Sequence, residues 1–266
     1  MKITTLIENL VYKEGLVAEH GLSILFETQN RIILFDTGQS GLFIQNAVKL
    51  GIDLKKVDAL VISHGHYDHT GGISAFLKIN KHARVYAKRE IFNMKFNGFK
   101  SYIGIPPETV IPRRRLTLVE TVTELDEGFF IVPEIPVKNL EDTRYANFFI
   151  RKGGGFLPDE FDDELFLASS SDGSVSVFSS CSHRGITNII VEATRYFGLP
   201  LGLVLGGFHM KEADAENLGM VASFFKQIMP RQIGVCHCSG MGTYSLLKSE
   251  LHEKVFYNMT GNSLPI

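Results

Sequence analysis

The chain has 266 residues, 44% of them hydrophobic and 21% charged, with a formal net charge of −2. That length supports one large core or two small ones, and the ordinary charged fraction excludes a disordered chain. Near-neutral charge argues against nucleic acid as a partner, because domains that bind it are usually basic.

The N-terminal "MKITTLIENLVY" lacks a long apolar stretch and a small-residue cleavage site, so it reads as a first strand rather than a signal peptide. "LSILFET" (22–28) and "RIILFDTG" (31–38) predict a hairpin with a Gln-Asn turn. "LFIQNAVKLG" (42–51) carries apolar residues at helical spacing and ends on Gly51, a C-cap signal. "VDALVIS" (57–63) is a short apolar run with β-branched members, the mark of a buried strand. "HTGGISAFLKIN" then predicts a short helix and "ARVYAKRE" another strand. Residues 91–160 open with "IFNMKFNGFKSYIGIPPETVIPRRRL", rich in aromatics, Lys, Arg and Pro, with weak periodicity. They are expected to form an insertion bordering the active site. Strands resume at "ETVTEL", "FFIVPEI" and "DELFLAS". "SVSVFSSCSHRG" (174–185) is an alternating strand that runs into a turn, and "ITNIIVEATRYFG" is a helix stopped by Gly198. "LGLVLGGFHM" and "RQIGVCHCSG" each read as a strand followed by a loop, with the helix "AENLGMVASFFKQIM" between them. Strands with helices before and after them predict an α/β chain, here a single domain over 1–266. No run of about 18 apolar residues is present, so no membrane span is expected. Three cysteines, Cys181, Cys236 and Cys238, match no disulfide framework or CxxC pair. Reduced thiols and a cytoplasmic location are the expectation.

"VISHGHYDHTGG" (61–72) places His64, His66, Asp68 and His69 within six positions. A polar metal-scavenging tract does not explain this, because the cluster follows a buried strand. Neutral imidazole and carboxylate are natural ligands for zinc, iron or manganese. If the chain stays extended beyond Ser63, His64 and His66 lie on one side and can clamp one ion. Asp68 and His69 fall where the chain turns toward a helix and can reach a second. Gly71 and Gly72 allow tight backbone packing at that turn. His82 and His252 sit in polar surroundings and read as ordinary surface residues.

His64-x-His66-x-Asp68-His69 followed by Gly71-Gly72, after an apolar strand and downstream of "LFDTG", resembles the metallo-β-lactamase fold superfamily. The resemblance implies a four-layer αβ/βα sandwich with one or two divalent metals at the edge of the two sheets (zinc foremost; iron, manganese or magnesium as alternatives). It matches Asp36 of "LFDTG" to a position that orients a metal ligand by hydrogen bonding; a plain turn residue before Gly38 is the other reading. It implies a third imidazole, for which His183 is the only mid-chain candidate, and a last one matched by His237. The superfamily's bridging aspartate on a Gly-Asp strand end is missing, and Ser180-Cys181 stands there instead. Two readings of Cys181 stay open: a thiolate ligand or a small buried apolar group. His209 in "GGFHM" is a candidate ligand, substrate contact or general acid. "GLVAEHGLS", "GIPP", "CSHRGITN", "GGFHM" and "HCSGM" together resemble a subgroup, the archaeal dihydropterin–ribofuranosylaminobenzene phosphate synthase-like proteins.

The expected function is a metal-dependent enzyme. It would use activated water or a metal-polarised oxygen for hydrolysis or transfer on a small anionic substrate, such as a phosphorylated pterin-like or aromatic compound. Asp68 and His209 are the candidate catalytic groups. Phe92, Phe96, Phe99 and Tyr102 offer stacking faces, and Lys95, Lys100 and Arg114 are candidate anion ligands. The alternatives are a mono-iron, dioxygenase-like redox enzyme and a non-catalytic metal-binding protein. A small molecule, with no nucleic acid and no membrane, is the expected partner. The oligomeric state is not readable from the sequence.

Overall fold

A computed structural model describes residues 1–266. In chain order the strands are β1 (Lys2–Ile7), β2 (Ser23–Glu27), β3 (Ile32–Phe35), β4 (Ala59–Val61), β5 (Arg84–Ala87), β6 (Met94–Asn97), β7 (Ser101–Tyr102), β8 (Leu116–Leu118) and β9 (Thr123–Asp126). They continue with β10 (Phe129–Val132), β11 (Phe148–Lys152), β12 (Gly155–Pro158), β13 (Phe166–Ser171), β14 (Ser174–Ser179), β15 (Leu201–Gly206), β16 (Gln232–Val235), β17 (Val255–Tyr257) and β18 (Ser263–Pro265). The α-helices are α1 (Leu42–Lys49), α2 (Tyr67–Thr70), α3 (Ile73–Ile79), α4 (Ile186–Phe197), α5 (Ala215–Ile228) and α6 (Gly240–Leu251). No helix is long and apolar enough to cross a membrane.

The chain divides into two compact units. Met1–Glu120, Tyr145–Asp163 and Met259–Ile266 form the first, and Thr121–Arg144 and Glu164–Asn258 the second.

The first unit is built on a seven-stranded sheet of order β18-β1-β2-β3-β4-β5-β8. β2 and β3 form the predicted antiparallel hairpin, closed where Thr28 N–H donates to the Arg31 carbonyl across Gln29-Asn30. From β3 onward the pairing is parallel, through β4 and β5 to β8. The register lines up Leu25, Leu34, Leu60 and Val85 in one row. Phe43 and Ala47 of α1, with Ile73 and Phe76 of α3, join that row in a single apolar cluster. The amphipathic pattern of α1 makes this possible: successive turns present apolar groups, Phe43 and Ala47, on the face toward the sheet. The helix stops at Leu50–Gly51, where Gly51 takes φ +72°. A second, four-stranded sheet of order β12-β11-β6-β7 belongs to the same unit.

The second unit repeats the scheme with a seven-stranded sheet of order β17-β16-β15-β14-β13-β10-β9. β14 to β17 run parallel, and Val177, Val204, Ile233 and Val255 share a row. Ile189 and Ala193 of α4, Val221 and Phe225 of α5, and Leu247 of α6 pack into the same cluster. α4 starts where Asp142 accepts from Thr187 N–H at 2.8 Å and ends on Gly198 in the left-handed region, φ +62°. Asp214 caps α5 by accepting from Asn217 N–H at 2.9 Å, a contact worth about 1 kcal/mol to a helix.

The stretch 91–160 contributes to three sheets. β8 completes the first large sheet, β9 and β10 edge the second, and only β6, β7, β11 and β12 stand apart. Its weak periodicity reflects these short, separate strands.

Candidate metal centre

Within the first unit, β4 ends at Val61, and Ile62 to His66 carry no regular structure before α2 starts at Tyr67. His66 keeps extended backbone, φ −75° and ψ 147°, while Asp68 and His69 turn with α2. The His64 ring centroid comes within 4.7 Å of His66 and 4.4 Å of His69. All four residues of the cluster are buried.

Asp36 organises them. It follows β3 in the left-handed region, φ +58°, a conformation that persists when surroundings over-determine it. Its Oδ1 accepts from Ser63 N–H at 2.8 Å; its Oδ2 accepts from the Ser63 hydroxyl at 2.6 Å and faces His69 Nδ1 at 2.9 Å. The Ser63 hydrogen is thereby used, so the Ser63 oxygen accepts from His64 Nδ1 at 2.8 Å. With Nδ1 donating on both rings, Nε2 is the atom each offers to a metal, the usual arrangement for a metal-bound imidazole. Burial, with His69 and His66 beside it, holds the His64 pKa well below the ordinary value, so that ring is the neutral donor a metal needs. Burial opposes a charge on His69, but Asp68 and the hydrogen bond to Asp36 raise it to about 10. The pocket favours positive charge at that ring, the charge that a metal ion bound there would also supply. Asp68 Oδ2 lies 3.5 Å from His69 Nε2 and 3.2 Å from His20 Nε2.

The loop is pinned by glycines. A Cβ on Gly65 would meet the Ile91 carbonyl oxygen at 2.4 Å, one on Gly71 the Gln39 oxygen at 2.0 Å, and one on Gly72 the Thr37 oxygen at 2.3 Å. Gly65 N–H donates to Asp163 Oδ2 at 2.7 Å. The other oxygen of Asp163 holds Lys95 Nζ at 2.9 Å, and Asp159 Oδ2 holds it at 2.5 Å. This corrects the expectation for Lys95. Its side chain is 1% exposed and neutralised by two carboxylates, so it is a structural cation and not an anion ligand for substrate. Burial works against its charge, but Asp163 and Asp159 outweigh that and raise its pKa. The ammonium also sits 4.7 Å from the Phe161 ring centroid. Phe161 and Phe148 face His66 at 5.3 and 5.4 Å. Lys100 and Arg114 are exposed, whereas Arg115 is buried and donates to the carbonyls of Ala83 and Asn80. Of the aromatics proposed for stacking, Phe96 is buried against Tyr102 and Phe156; Phe92, Phe99 and Tyr102 are exposed.

Within the second unit, β14, β15 and β16 end level, with Ser179 beside Gly206 and Gly206 beside Val235. Each strand is followed by a non-glycine residue in the left-handed region: Ser182 (φ +55°), His209 (φ +47°) and His237 (φ +52°). Ligands of parallel α/β sheets bind beyond the carboxyl ends of the strands. Glu164 holds the first loop by accepting from His183 N–H and Arg184 N–H, both at 2.7 Å. Ser182 donates to the Gly207 carbonyl at 2.7 Å, and His183 Nδ1 lies 3.3 Å from the Arg144 carbonyl oxygen. The rings of His183 and His209 are 4.2 Å apart. Two donor sets fall within metal-binding reach, Cys181–His183–His209 and Cys181–His237–Cys238, with the donor atoms of each within 4.8 Å of one another. Burial raises the Cys238 thiol pKa, but the Cys181 contact and His237 outweigh it and bring it well below the ordinary value.

The family model described as "Metallo-beta-lactamase superfamily" matches residues 16–140. An uncharacterized protein of Methanocaldococcus jannaschii, MJ0448, is 30% identical over 262 residues, covering 96% of each chain. The chain belongs to the metallo-beta-lactamase superfamily. From the same organism, 7,8-dihydropterin-6-methyl-4-(beta-D-ribofuranosyl)-aminobenzene-5'-phosphate synthase is 28% identical over 279 residues, covering 95% of this chain and 92% of that one. Tm1679, described as a metal-dependent hydrolase of the beta-lactamase superfamily, superposes with a TM-score of 0.88 at 29% identity, covering 100% of this chain and 99% of that one. The mixed α/β fold expected from the sequence is therefore the one present.

This metallo-beta-lactamase superfamily chain has His, Cys and Asp groups placed to hold a metal ion. The structure adds residues that sequence reading missed. His20 joins Asp68 from the loop before β2, Asp163 anchors Gly65 across 98 positions, and Cys238 meets Cys181. His20 and Cys238 stood in the quoted motifs "GLVAEHGLS" and "HCSGM" and Asp163 at the head of the strand "DELFLAS", but nothing local to any of them names its partner. A cavity of about 450 Å³ in the first unit is lined by Arg89, Phe92, Arg113, Leu116 and Leu118 and by none of these donors.

Proposed function

We propose that this protein is a metal-dependent enzyme that hydrolyses or transfers a group on a small anionic substrate. The candidate ligands are His64, His66, Asp68 and His69 within the first unit, and His183 and His237 within the second. The observation that carries this reading is the Asp36–Ser63–His64 and Asp36–His69 network, which orders two buried imidazoles and commits one nitrogen of each to a structural bond. A purely structural pair of histidines has no need of such a shared carboxylate. One or two divalent ions held there supply Lewis acidity and a nucleophile from water near neutral pH.

The protein's own side chains then have separable tasks. Asp36 orients His69. Asp68, facing His20 and His69, holds a proton or orients the attacking group. His209, at the end of β15, is the general acid. A phosphorylated, pterin-like or aromatic compound is the proposed substrate class, supported by the likeness to the synthase of M. jannaschii.

The test is elemental analysis of the protein as purified, followed by chelation and an activity panel of matched phosphorylated and unphosphorylated aromatic esters. Divalent metal near one or two equivalents, with activity lost on chelation and restored by metal, is expected. A protein without stoichiometric metal, or with activity indifferent to chelation, would overturn the reading.

A further inference from the structure

The second unit holds a pair of thiols that the hydrolytic reading does not need. Cys181, two residues past β14, and Cys238, three past β16, bring their sulfurs to 3.4 Å. Both are buried, at 2% and 8% exposure. The His237 nitrogen completes a set in which all three donor atoms lie within 4.8 Å of one another. The approach is built into the backbone. Gly207 carries no Cβ where one would strike the Ser180 carbonyl oxygen at 2.4 Å and Cys238 Sγ at 2.6 Å. His209 N–H donates to Cys238 Sγ at 3.3 Å, and Lys211 N–H to the Cys238 carbonyl at 3.1 Å.

The spacing separates the three things a buried thiol pair can be. A disulfide needs its sulfurs at about 2.05 Å, far inside the observed separation. Two thiolates on one tetrahedral ion, each about 2.3 Å from it, stand about 3.8 Å apart, within a few tenths of an ångström of what is present. Two thiols packed only as small apolar groups have no use for a histidine nitrogen placed within 4.8 Å of both sulfurs.

We propose that Cys181, Cys238 and His237 form a soft-metal clamp that binds one thiophilic divalent ion, zinc or cadmium, through two thiolates and an imidazole. It rests on the reading of His237 as a metal ligand and deepens it, by assigning sulfur to the ion that His237 binds. Thiolate selects zinc over magnesium, calcium or manganese, which prefer oxygen. A clamp of this kind therefore decides which metal the protein keeps.

The experiment is titration of the chelator-stripped full-length protein with cobalt(II), followed by absorption. A sulfur-to-cobalt charge-transfer band reports thiolate ligation independently of any activity. The band should appear at one equivalent, vanish in Cys181→Ser and Cys238→Ser, and persist in Cys236→Ser. Cadmium affinity should fall at least about tenfold in Cys238→Ser, no less than the loss of an outer partner of a metal ligand costs. Circular dichroism of the serine variants checks that they fold. If one of them does not fold, the unaltered protein decides: one equivalent of cadmium should produce the ultraviolet sulfur-to-cadmium charge-transfer band. Stoichiometric cobalt without the band overturns the clamp and leaves the hydrolytic reading standing. A band that depends on both cysteines in a protein indifferent to chelation on the ester panel supports the clamp and sinks the hydrolytic reading. Cadmium bound without that band, or a Cys181–Cys238 disulfide in metal-loaded protein, also overturns the clamp.

Discussion

Asp36 Oδ2 lies 2.9 Å from His69 Nδ1, and the same carboxylate holds the backbone and hydroxyl of Ser63. One side chain thus fixes the start of the histidine loop and the ring at its far end. Asp36→Asn keeps the size and tolerates the left-handed backbone, because Asn visits that region readily. It loses the charge that holds His69. Metal affinity should drop about 10–100-fold, as for other partners of metal-bound histidines, with the circular dichroism spectrum retained. Competition against a chromophoric chelator measures it, and an unchanged affinity would show that Asp36 only shapes the turn.

Lys95 couples β6 to the metal loop through Asp163 and Gly65. Lys95→Met leaves two buried carboxylates without their cation, a loss of about 3–5 kcal/mol for a broken buried pair. Thermal unfolding should show a clear drop in Tm. Lys95→Met combined with Asp159→Asn and Asp163→Asn removes the uncompensated charge and should recover part of it. A single variant as stable as the parent protein would mean that water reaches the triad.

Lys100 and Arg114 are exposed, so their removal should leave the stability within about 0.5 kcal/mol of the parent protein. If either binds substrate, the alanine variants raise KM for phosphorylated esters and not for their unphosphorylated partners. Equal KM values for both series would return these side chains to the solvated surface.

Gly65→Ala places a methyl carbon where the Ile91 carbonyl oxygen stands 2.4 Å away. Backbone must shift, and His64 and His66 shift with it. Metal content and Tm should fall together. A variant that retains full metal would show that the loop tolerates the displacement.

His209→Asn separates ligand from proton donor, since Asn tolerates the positive φ. A general acid removed lowers kcat about 10²–10⁴-fold with metal content unchanged. Loss of metal along with activity would assign His209 to the Cys181–His183–His209 donor set instead.

The sequence by itself determined the elements and the first donors. The hairpin at 22–38, the helices at 42–49 and 186–197 and the parallel strands follow from periodicity, Gly51, Gly198 and short apolar runs. His64, His66, Asp68 and His69 are legible because they fall within one turn of chain after a strand, so local spacing alone places them together. The strand β17, the edge strand β18 and the helix α6 carry weaker patterns and are visible only in the structure. So are the role of Lys95 and the meeting of Cys181 with Cys238. Lys95 looks like a surface cation until β6 carries it to Asp159 and Asp163, 64 and 68 residues away. The cysteines are 57 residues apart, and they meet because β14, β15 and β16 pair in parallel and end level. Side-chain chemistry is written residue by residue, but which distant groups share a site depends on sheet register, and register is set by the burial of whole rows of apolar side chains rather than by any local motif.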